Sequence, residues 1–273
     1  MMATSFERHA VQRYFESQLG CSDLTQWKTF KPNLQSYVLS ASDVYALAPL
    51  LIQDAVALYT QALQSFAQAI TALKKKQFAW PIVEFYYAVF YSMRSELHAS
   101  SVIAVKNGSI YYMPNTSGST FNSIQEKGSH QTYIRLRKTL PASIITRDVL
   151  LDNVIEPGID VYSWMCLNRE RVNYHQKHFP DPEPDFILQK VYDDYVLTNK
   201  LTDLLNLYES NLVYCFDKDH ATLAIPYKKL KTCRNLLLSR ANPDSFEQKQ
   251  FASVKNDLIA VGIDESIANN LVL

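Results

Sequence analysis

The sequence is poor in glycine. Only 6 of its 273 residues are glycine, whereas 17 are tyrosine and 13 are phenylalanine. Few glycines among many long apolar side chains favour helices packed on one another over a β fold rich in tight turns. Apolar residues make up 47% of the chain, which excludes wholesale disorder. We therefore predict a mainly α-helical protein with a substantial core.

The sequence also lacks a charge imbalance and long apolar runs. Its 27 basic and 27 acidic residues balance, so net charge does not indicate a nucleic-acid or membrane partner. No apolar run reaches the roughly 18 residues that span a bilayer. The charged residues within Met1–Gly20 do not fit a secretory signal. These features predict a cytoplasmic protein without a membrane partner.

Metal and cofactor motifs are missing as well. The four cysteines, at positions 21, 166, 215 and 233, lack the CxxC spacing of a zinc ribbon or a redox pair, so we expect reduced thiols. The chain contains no GxGxxG, no GxxxxGK[ST] and no HExxH. We predict no cofactor and no metal, and a small-molecule-binding helical bundle is the weakest of the hypotheses.

Apolar side chains recur at three- and four-residue steps in two early segments. From Pro49 onwards the pattern runs from Leu51 to Leu73, and the cations of Lys74–Lys76 suit a helix C-terminus. A second helix is expected to begin near Pro81. Its aromatic stripe is more typical of a core than of a surface that stacks bases.

The segment Val102–Met113 has a different pattern. Two β-prone runs flank Asn107-Gly108, the residue pair preferred in two-residue hairpin turns. The next segment, Pro114–Gly128, is rich in polar residues. We therefore predict a β-hairpin followed by a mobile loop, both inserted between helices.

Helices are also predicted for the second half of the chain. They are expected from Ser129 or Thr132 to Leu140, at Thr146–Ile155, at Ile159–His178 and at Asp185–Tyr214, with two or three short helices after Asp217. Pro157-Gly158 and the proline-rich segment 179–184 end two of them. Ser245 and Gln248 have the spacing of a capping box.

The segment 169–178 concentrates side chains suited to RNA chemistry. It contains Arg169, Arg171, Asn173, His175 and His178. RNA cleavage needs a proton acceptor, a proton donor and a positive charge beside the phosphorane. Histidine titrates near neutral pH, and arginine stays charged and presents a planar fork to phosphate. These five residues are candidate catalytic residues. The alternative is a solvated helix face on which Glu170 screens Arg169.

A second basic group follows further along the chain. It comprises Lys228, Lys229, Lys231 and Arg234, with Arg240 beyond it. These cations could bind RNA phosphates beside the catalytic residues. Leucines lie between the charges, so the alternative is an amphipathic surface helix whose lysines keep it soluble.

The run Glu84–Leu97, EFYYAVFYSMRSEL, resembles the aromatic second helix of HEPN-superfamily proteins. The ribonucleases of that superfamily carry an arginine followed by a histidine, with four to six residues between them, near the end of a late helix. Arg169 with His175 fits this spacing, and so does Arg171 with His178. The polar residue directly after the first arginine favours the first pair.

The resemblance covers roughly residues 50–210 and implies an up-down helical bundle of HEPN type. The inserted hairpin and loop would occupy 102–128 of a domain at 49–216, between an N-terminal extension at 1–48 and a small helical extension at 217–273. The resemblance further implies a metal-independent endoribonuclease whose homodimer lines one cleft with both Arg–His pairs, in phage defence, a toxin–antitoxin pair or RNA processing. The alternative is a non-catalytic scaffold subunit that binds a cognate protein partner.

Overall fold

The computed structural model describes residues 8–179 and 181–273. Helices dominate these residues, and their strands form two small antiparallel sheets. The predicted mainly α-helical fold with a small hairpin is confirmed. The described residues divide into two compact units, one formed by residues 8–56 and 95–146 and the other by residues 57–94, 147–179 and 181–273. The predicted division at residues 48 and 216 stays a prediction, and Pro180, expected to help end a helix, lies outside the described residues.

The first unit combines short helices with a three-stranded antiparallel sheet. Its helical segments are α1 (Ala10–Gln18), α2 (Lys31–Ser36), the beginning of α3 (Ala41–Lys74), the end of α4 (Ala79–Ala99) and α5 (Gly128–Thr139). The sheet contains β1 (Val102–Asn107), β2 (Ser109–Pro114) and β3 (Asn122–Ser123), in that order. The core joins α1, α3 and the hairpin through side chains that include Phe15, Leu47, Leu51, Ile103, Val105, Tyr111 and Met113.

The β1–β2 hairpin turns where the sequence predicted. Asn107 pairs with Ser109, and Gly108 between them has a φ of 72°, which glycine adopts without steric cost. The following segment, predicted to be a loop, contains β3 and a bridge from Thr120 to Val38. Strand pairing therefore extends into this segment.

Helix α3 begins at Ala41, earlier than predicted, and contains Pro49. By length and composition alone it could span a bilayer, a test that the core helix of a soluble protein also passes. Its buried Asp54 accepts hydrogen bonds from the backbone N–H groups of Ala10 (2.6 Å) and Val11 (2.9 Å). Since first-turn N–H groups lack partners within their own helix, this carboxylate fixes the start of α1.

The second unit is built from the remaining parts of α3 and α4 and from the C-terminal half of the chain. Its further elements are β4 (Val154–Glu156), β5 (Ile159–Asp160), α6 (Val161–Glu170), α7 (Gln189–Val191), α8 (Leu201–Ser210), α9 (Lys218–Leu237), α10 (Ser245–Ala260) and α11 (Glu265–Asn269). The residues of α9 from His220 to Tyr227 are buried on every side of the helix. Helix α9 is therefore a core helix of this unit, and neither it nor α10 is as short as predicted.

Two of the helix predictions for this part of the chain are wrong. The helix expected at Thr146–Ile155 is replaced by a 3₁₀ turn and by β4, which pairs with β5. The helix expected at Asp185–Tyr214 is divided into α7, a π-helical turn at Tyr192–Val196, and α8. Asn199, between the last two, has a φ of 56°, and this left-handed residue breaks the helical path.

The capping box of α10 lies one residue earlier than predicted. Asp244 accepts hydrogen bonds from the backbone N–H groups of Phe246 and Glu247, both at 2.8 Å. The Glu247 side chain in turn accepts a hydrogen bond from the backbone N–H of Asp244 at 2.9 Å. The reciprocal pair is therefore Asp244 with Glu247, and not Ser245 with Gln248.

Candidate functional site

Helix α6 carries the candidate residues into a wider helical turn. Asp160 caps the helix, because its side chain accepts hydrogen bonds from the backbone N–H groups of Tyr162 and Ser163, both at 3.1 Å. The α-helical pattern ends at Glu170, and a π-helical turn continues it over Arg171–His175. π-Helical turns are rare in proteins, and those that occur are often found at functional sites. The candidate segment therefore differs from the regular helix that the sequence predicted.

Arg169 lies among three tyrosine rings. Its guanidinium carbon is 5.8 Å from the ring centroid of Tyr86, 5.9 Å from that of Tyr87 and 5.4 Å from that of Tyr174. At these distances the rings attract the cation. Nη2 also donates long hydrogen bonds, both 3.5 Å, to the hydroxyls of Tyr87 and Tyr174. The arginine is thus held by aromatic faces and phenol oxygens.

Arg169 has no carboxylate partner among residues 8–179 and 181–273. The residue is only 9% exposed, and within the same residues its buried Nε has no hydrogen-bond acceptor. Burial would lower the pKa of Arg169, but Tyr87 and the other tyrosines raise it above the ordinary value. The predicted screening by Glu170 is not seen, because that carboxylate instead lies 3.7 Å from Cys166 Sγ. A charged, mostly buried guanidinium without an internal counter-charge is suited to bind an anion.

The two candidate histidines are exposed. His175 ends the π-helical turn directly after Tyr174, and His178 lies three residues further on. Asn173 is half-buried in the same turn. In the part of the chain that the structure describes, neither imidazole forms a hydrogen bond or a salt bridge, and the hydrogen bonds of Arg169 go to tyrosines. Both side chains are therefore accessible to a ligand, but the monomer does not join them to the arginine.

Arg171, the other candidate arginine, has a carboxylate partner. Its Nη1 and Nη2 each donate a 2.9 Å hydrogen bond to one oxygen of the buried Asp185. Its guanidinium carbon also lies 4.9 Å from the ring centroid of Phe186. Asp185 also accepts a hydrogen bond from the Gln176 side chain at 3.4 Å. The carboxylate therefore holds Arg171, at the start of the π-helical turn, and Gln176, directly after its end. This bidentate pair occupies Arg171, so of the two candidate arginines Arg169 is the one without a carboxylate partner among the described residues.

Lys229, predicted to bind RNA, is 1% exposed. Its Nζ lies 2.7 Å from Oδ2 of Asp148 and 5.2 Å from the ring centroid of Tyr162. The Tyr162 hydroxyl donates to the same carboxylate oxygen. A lysine enclosed in this way does not reach an external phosphate, because α9 is a core helix here and not the predicted surface helix.

The other basic residues predicted to bind RNA also contact protein groups. Lys231 Nζ lies 3.1 Å from a carboxylate oxygen of Glu209, and Lys228 Nζ donates to the backbone carbonyl of Glu209 at 3.4 Å. Arg234 Nε donates to the carbonyl oxygen of Val272 at 2.6 Å. These contacts supply each cation with an internal partner. RNA binding by these three residues stays a prediction.

Tyr87 is a site residue that was not predicted from the sequence. The aromatic stripe of α4 was predicted to belong to the core, and Phe85, Tyr86 and Val89 are indeed buried. Tyr87 and Tyr91 are half-buried, however, and their rings stack with centroids 5.7 Å apart. The feature of the sequence that indicates this second face is the four-residue spacing of Tyr87 and Tyr91, which places both rings on one face of the helix, apart from the buried stripe.

No family model, curated protein or solved structure matches the chain. The relationship to the HEPN superfamily therefore stays an expectation, drawn from the aromatic helix and from the Arg–His spacing. What the site can bind follows from its own groups, which are a compensated arginine, an uncompensated arginine, two tyrosine hydroxyls and two exposed imidazoles.

Proposed function

We propose that the protein is a HEPN-type endoribonuclease that cleaves RNA without a metal ion. The observation that carries the proposal is the charged guanidinium of Arg169, which is mostly buried and has no carboxylate partner in the described part of the chain. A phosphodiester would supply the missing negative charge. The exposed imidazole of His175 follows in the adjoining turn and provides a group that can transfer protons.

Each residue of the site has a distinct role in this proposal. Arg169 binds a non-bridging phosphate oxygen and stabilises the phosphorane, and the hydroxyls of Tyr87 and Tyr174 orient the guanidinium. His175 removes the proton of the 2′-hydroxyl, whose oxygen attacks phosphorus while the 5′-oxygen leaves with a proton. The products are a 2′,3′-cyclic phosphate and a 5′-hydroxyl. Arg171 fixes the turn through Asp185, instead of contacting the phosphorane.

A homodimer would complete the acid–base pair. One imidazole can take the proton from the 2′-hydroxyl, and the imidazole of a second protomer can give a proton to the leaving oxygen. Asn173 is half-buried and His178 is exposed in the same segment, and in this proposal both contact the RNA. Action in the cytoplasm, in phage defence or in a toxin–antitoxin pair, belongs to the same proposal.

Cleavage of mixed RNA by the purified protein in excess EDTA tests the proposal. We expect products with 2′,3′-cyclic phosphate ends. His175→Ala should abolish cleavage and leave the melting temperature nearly unchanged, because the side chain is exposed. His178→Ala serves as the matched comparison. A wild-type rate in both variants would contradict the proposal.

The alternative function is a non-catalytic subunit that binds a protein partner. The predicted contact surfaces were the hairpin and the segment 114–128. Most hairpin side chains are buried within the first unit, whereas much of the segment 114–128 is exposed. Intact RNA after incubation, together with co-purification of a neighbouring gene product, would favour this alternative. Loss of that partner after alanine substitution within 116–118 would then locate the contact.

A further inference from the structure

A groove of about 770 Å³ lies in the second unit, between α3, the start of α4 and α10. Each helix contributes side chains at three- or four-residue steps, so one face of each helix lines the groove. On α3 these residues include Gln64 and Gln68, Lys75 follows directly after its end, and on α10 they include Phe246 and Gln250. The groove is separate from the candidate catalytic residues.

Two large exposed rings border the groove. Trp80 is 52% exposed and Phe246 is 63% exposed, although both are apolar. The ring of Phe179 lies beside that of Trp80, with centroids 6.1 Å apart. Exposed aromatic faces provide stacking surfaces for nucleobases, because every base has a flat π-face. The groove therefore offers stacking at its edges.

The polar side chains of the groove match the edges of bases and the RNA backbone. The carboxamides of Gln64, Gln68 and Gln250 each offer donors and an acceptor, the combination that pairs with base edges. Lys75, in the turn that follows α3, and Lys249, on α10, supply cations for phosphates. This combination suits a ligand with flat faces, polar edges and a negative backbone.

Two carboxylates also line the groove. They belong to Glu84 and Asp257, so the surface is not a simple cationic patch. A carboxylate can accept a hydrogen bond from the amino group of a base, as it does from cytosine. It repels a phosphate placed directly beside it. We therefore expect the bases, and not the phosphates, to face Glu84.

Helix α4 links the groove to Arg169. Trp80, Glu84 and Tyr87 follow one another at four- and three-residue steps and share one face of the helix. At a rise of 1.5 Å per residue, Trp80 lies about 10 Å from Tyr87 along the helix axis. Tyr87 is the residue whose hydroxyl contacts Arg169. A strand bound in the groove could therefore extend to the arginine along α4.

We infer that this groove binds an unpaired segment of RNA beside the scissile phosphate and reads its bases. The inference rests on the proposed function and adds the site that selects where the RNA is cut. Paired bases are stacked inside a duplex and cannot present their faces to Trp80 and Phe246. The groove therefore prefers unpaired RNA over duplex RNA.

Binding by the full-length His175→Ala protein tests this inference without cleavage of the probe. The probes are a labelled unpaired RNA of mixed sequence and a blunt-ended duplex RNA of the same length, and fluorescence anisotropy measures the binding of each. Adding Trp80→Ala or Phe246→Ala should weaken binding of the unpaired probe about 10-fold, because a stacking ring is lost. Tyr45→Ala, which removes a ring that is 86% exposed in the first unit, should leave affinity unchanged.

The salt dependence of RNA binding measures the phosphate contacts of the two lysines separately from base stacking. Lys75→Gln and Lys249→Gln should each reduce the slope of log affinity against log salt by about 0.7, the value for one lost phosphate contact on single-stranded RNA. Lys28→Gln removes an exposed lysine of the first unit and should leave the slope unchanged. Gln250→Ala should alter the base preference around the cleavage sites of the catalytically intact protein.

The groove inference and the nuclease proposal can each be refuted without the other. If Trp80→Ala and Phe246→Ala both bind like Tyr45→Ala, with circular dichroism confirming folded protein, the groove inference is wrong even where the wild type cleaves RNA. Equal affinity for the duplex probe would overturn it as well. If the wild type binds the unpaired probe through these residues but leaves no 2′,3′-cyclic ends, the nuclease proposal fails and the groove remains an RNA-binding site.

Discussion

Two buried cations of the second unit, Lys229 and Arg169, lie against tyrosine rings but differ in charge compensation. Lys229 Nζ is 5.2 Å from the ring centroid of Tyr162 and 2.7 Å from a carboxylate oxygen of Asp148. Arg169 has three rings around it and no carboxylate partner among the described residues. The rings attract both cations, but of the two only Lys229 has a neutralising carboxylate among the residues that the structure describes. This difference in charge compensation makes Lys229 a structural cation and leaves Arg169 able to bind an external anion.

The neighbouring Arg171 strengthens this comparison. It lies two residues from Arg169 and forms a bidentate pair with Asp185. A missing counter-charge is therefore not a general property of this part of the chain. It is specific to the arginine that faces Tyr87 and Tyr174.

The largest expected effect is the loss of stability on removing the compensated lysine. Lys229→Ala should lower the free energy of unfolding by about 3–5 kcal/mol, because it leaves the carboxylate of Asp148 buried without its cation. Chemical denaturation measures this loss. Lys231→Ala is the matched control, and its half-exposed partner Glu209 limits the cost to about 1 kcal/mol or less. Equal losses in the two variants would contradict a special role for the buried pair.

A smaller loss is expected from the second compensated cation. Asp185→Asn should lower the free energy of unfolding by about 2 kcal/mol, because Arg171 loses a charged acceptor. RNA cleavage should fall as well, since the turn that carries His175 is less firmly held. Asp152→Asn, at an exposed pair with Arg147, is the control and should change neither quantity. Unchanged unfolding of Asp185→Asn would show that the ion pair does not fix the turn.

A carboxylate introduced beside Arg169 should compensate its charge, as Asp148 compensates the charge of Lys229. Tyr174 is 67% exposed and lies against the guanidinium, so Tyr174→Glu places a negative charge there at little structural cost. RNA affinity should fall by at least about 10-fold, because the carboxylate competes with and repels phosphate. Tyr174→Gln has the same length without the charge and should bind RNA more tightly than Tyr174→Glu. Equal affinities would mean that charge at Arg169 does not matter.

The smallest expected effect concerns His220, a buried imidazole of the same unit. Burial, the largest cause, lowers its pKa, and Lys190 acts in the same direction, whereas Asp217, Asp219 and Asp194 oppose it. The unfolded chain therefore binds a proton at a pH where the folded chain does not. Stability is complete above the ordinary histidine pKa and is lost as pH falls below it.

Thermal unfolding measured across that pH range checks this sign. His220→Phe keeps a ring against Tyr208, at the cost of a 3.0 Å hydrogen bond, and removes the titrating group. The decrease in melting temperature from neutral to mildly acidic pH should be smaller in the variant than in the wild type. A steeper decrease in the variant would contradict the assignment.

The elements that the sequence predicted well depend on local signals. The period of α3 and α4 and the Asn107-Gly108 pair lie within single segments, and the structure has two helices and a hairpin there. The helix predicted at Thr146–Ile155 fails because that segment instead pairs as β4 and places Asp148 against α9. Helical spacing alone does not reveal such contacts.

The candidate site shows the same limit. Its residues could be selected from their chemistry and spacing, but their partners lie far away in the sequence. Asp185 is 14 positions from Arg171, and Asp148 is 81 positions from Lys229. No local pattern shows which cation has a carboxylate. The availability of Arg169 therefore emerges only from the structure.

The most direct test compares RNA cleavage by Arg169→Gln and by Arg171→Gln, each with its thermal unfolding. We predict that Arg169→Gln loses about 100- to 1,000-fold in cleavage rate, as on removal of a donor that stabilises transition-state charge, and melts close to the wild type. Arg171→Gln should instead lose stability, because Asp185 is left without its cation. A wild-type cleavage rate in folded Arg169→Gln would show that the guanidinium of Arg169 does not stabilise the transition state of RNA cleavage.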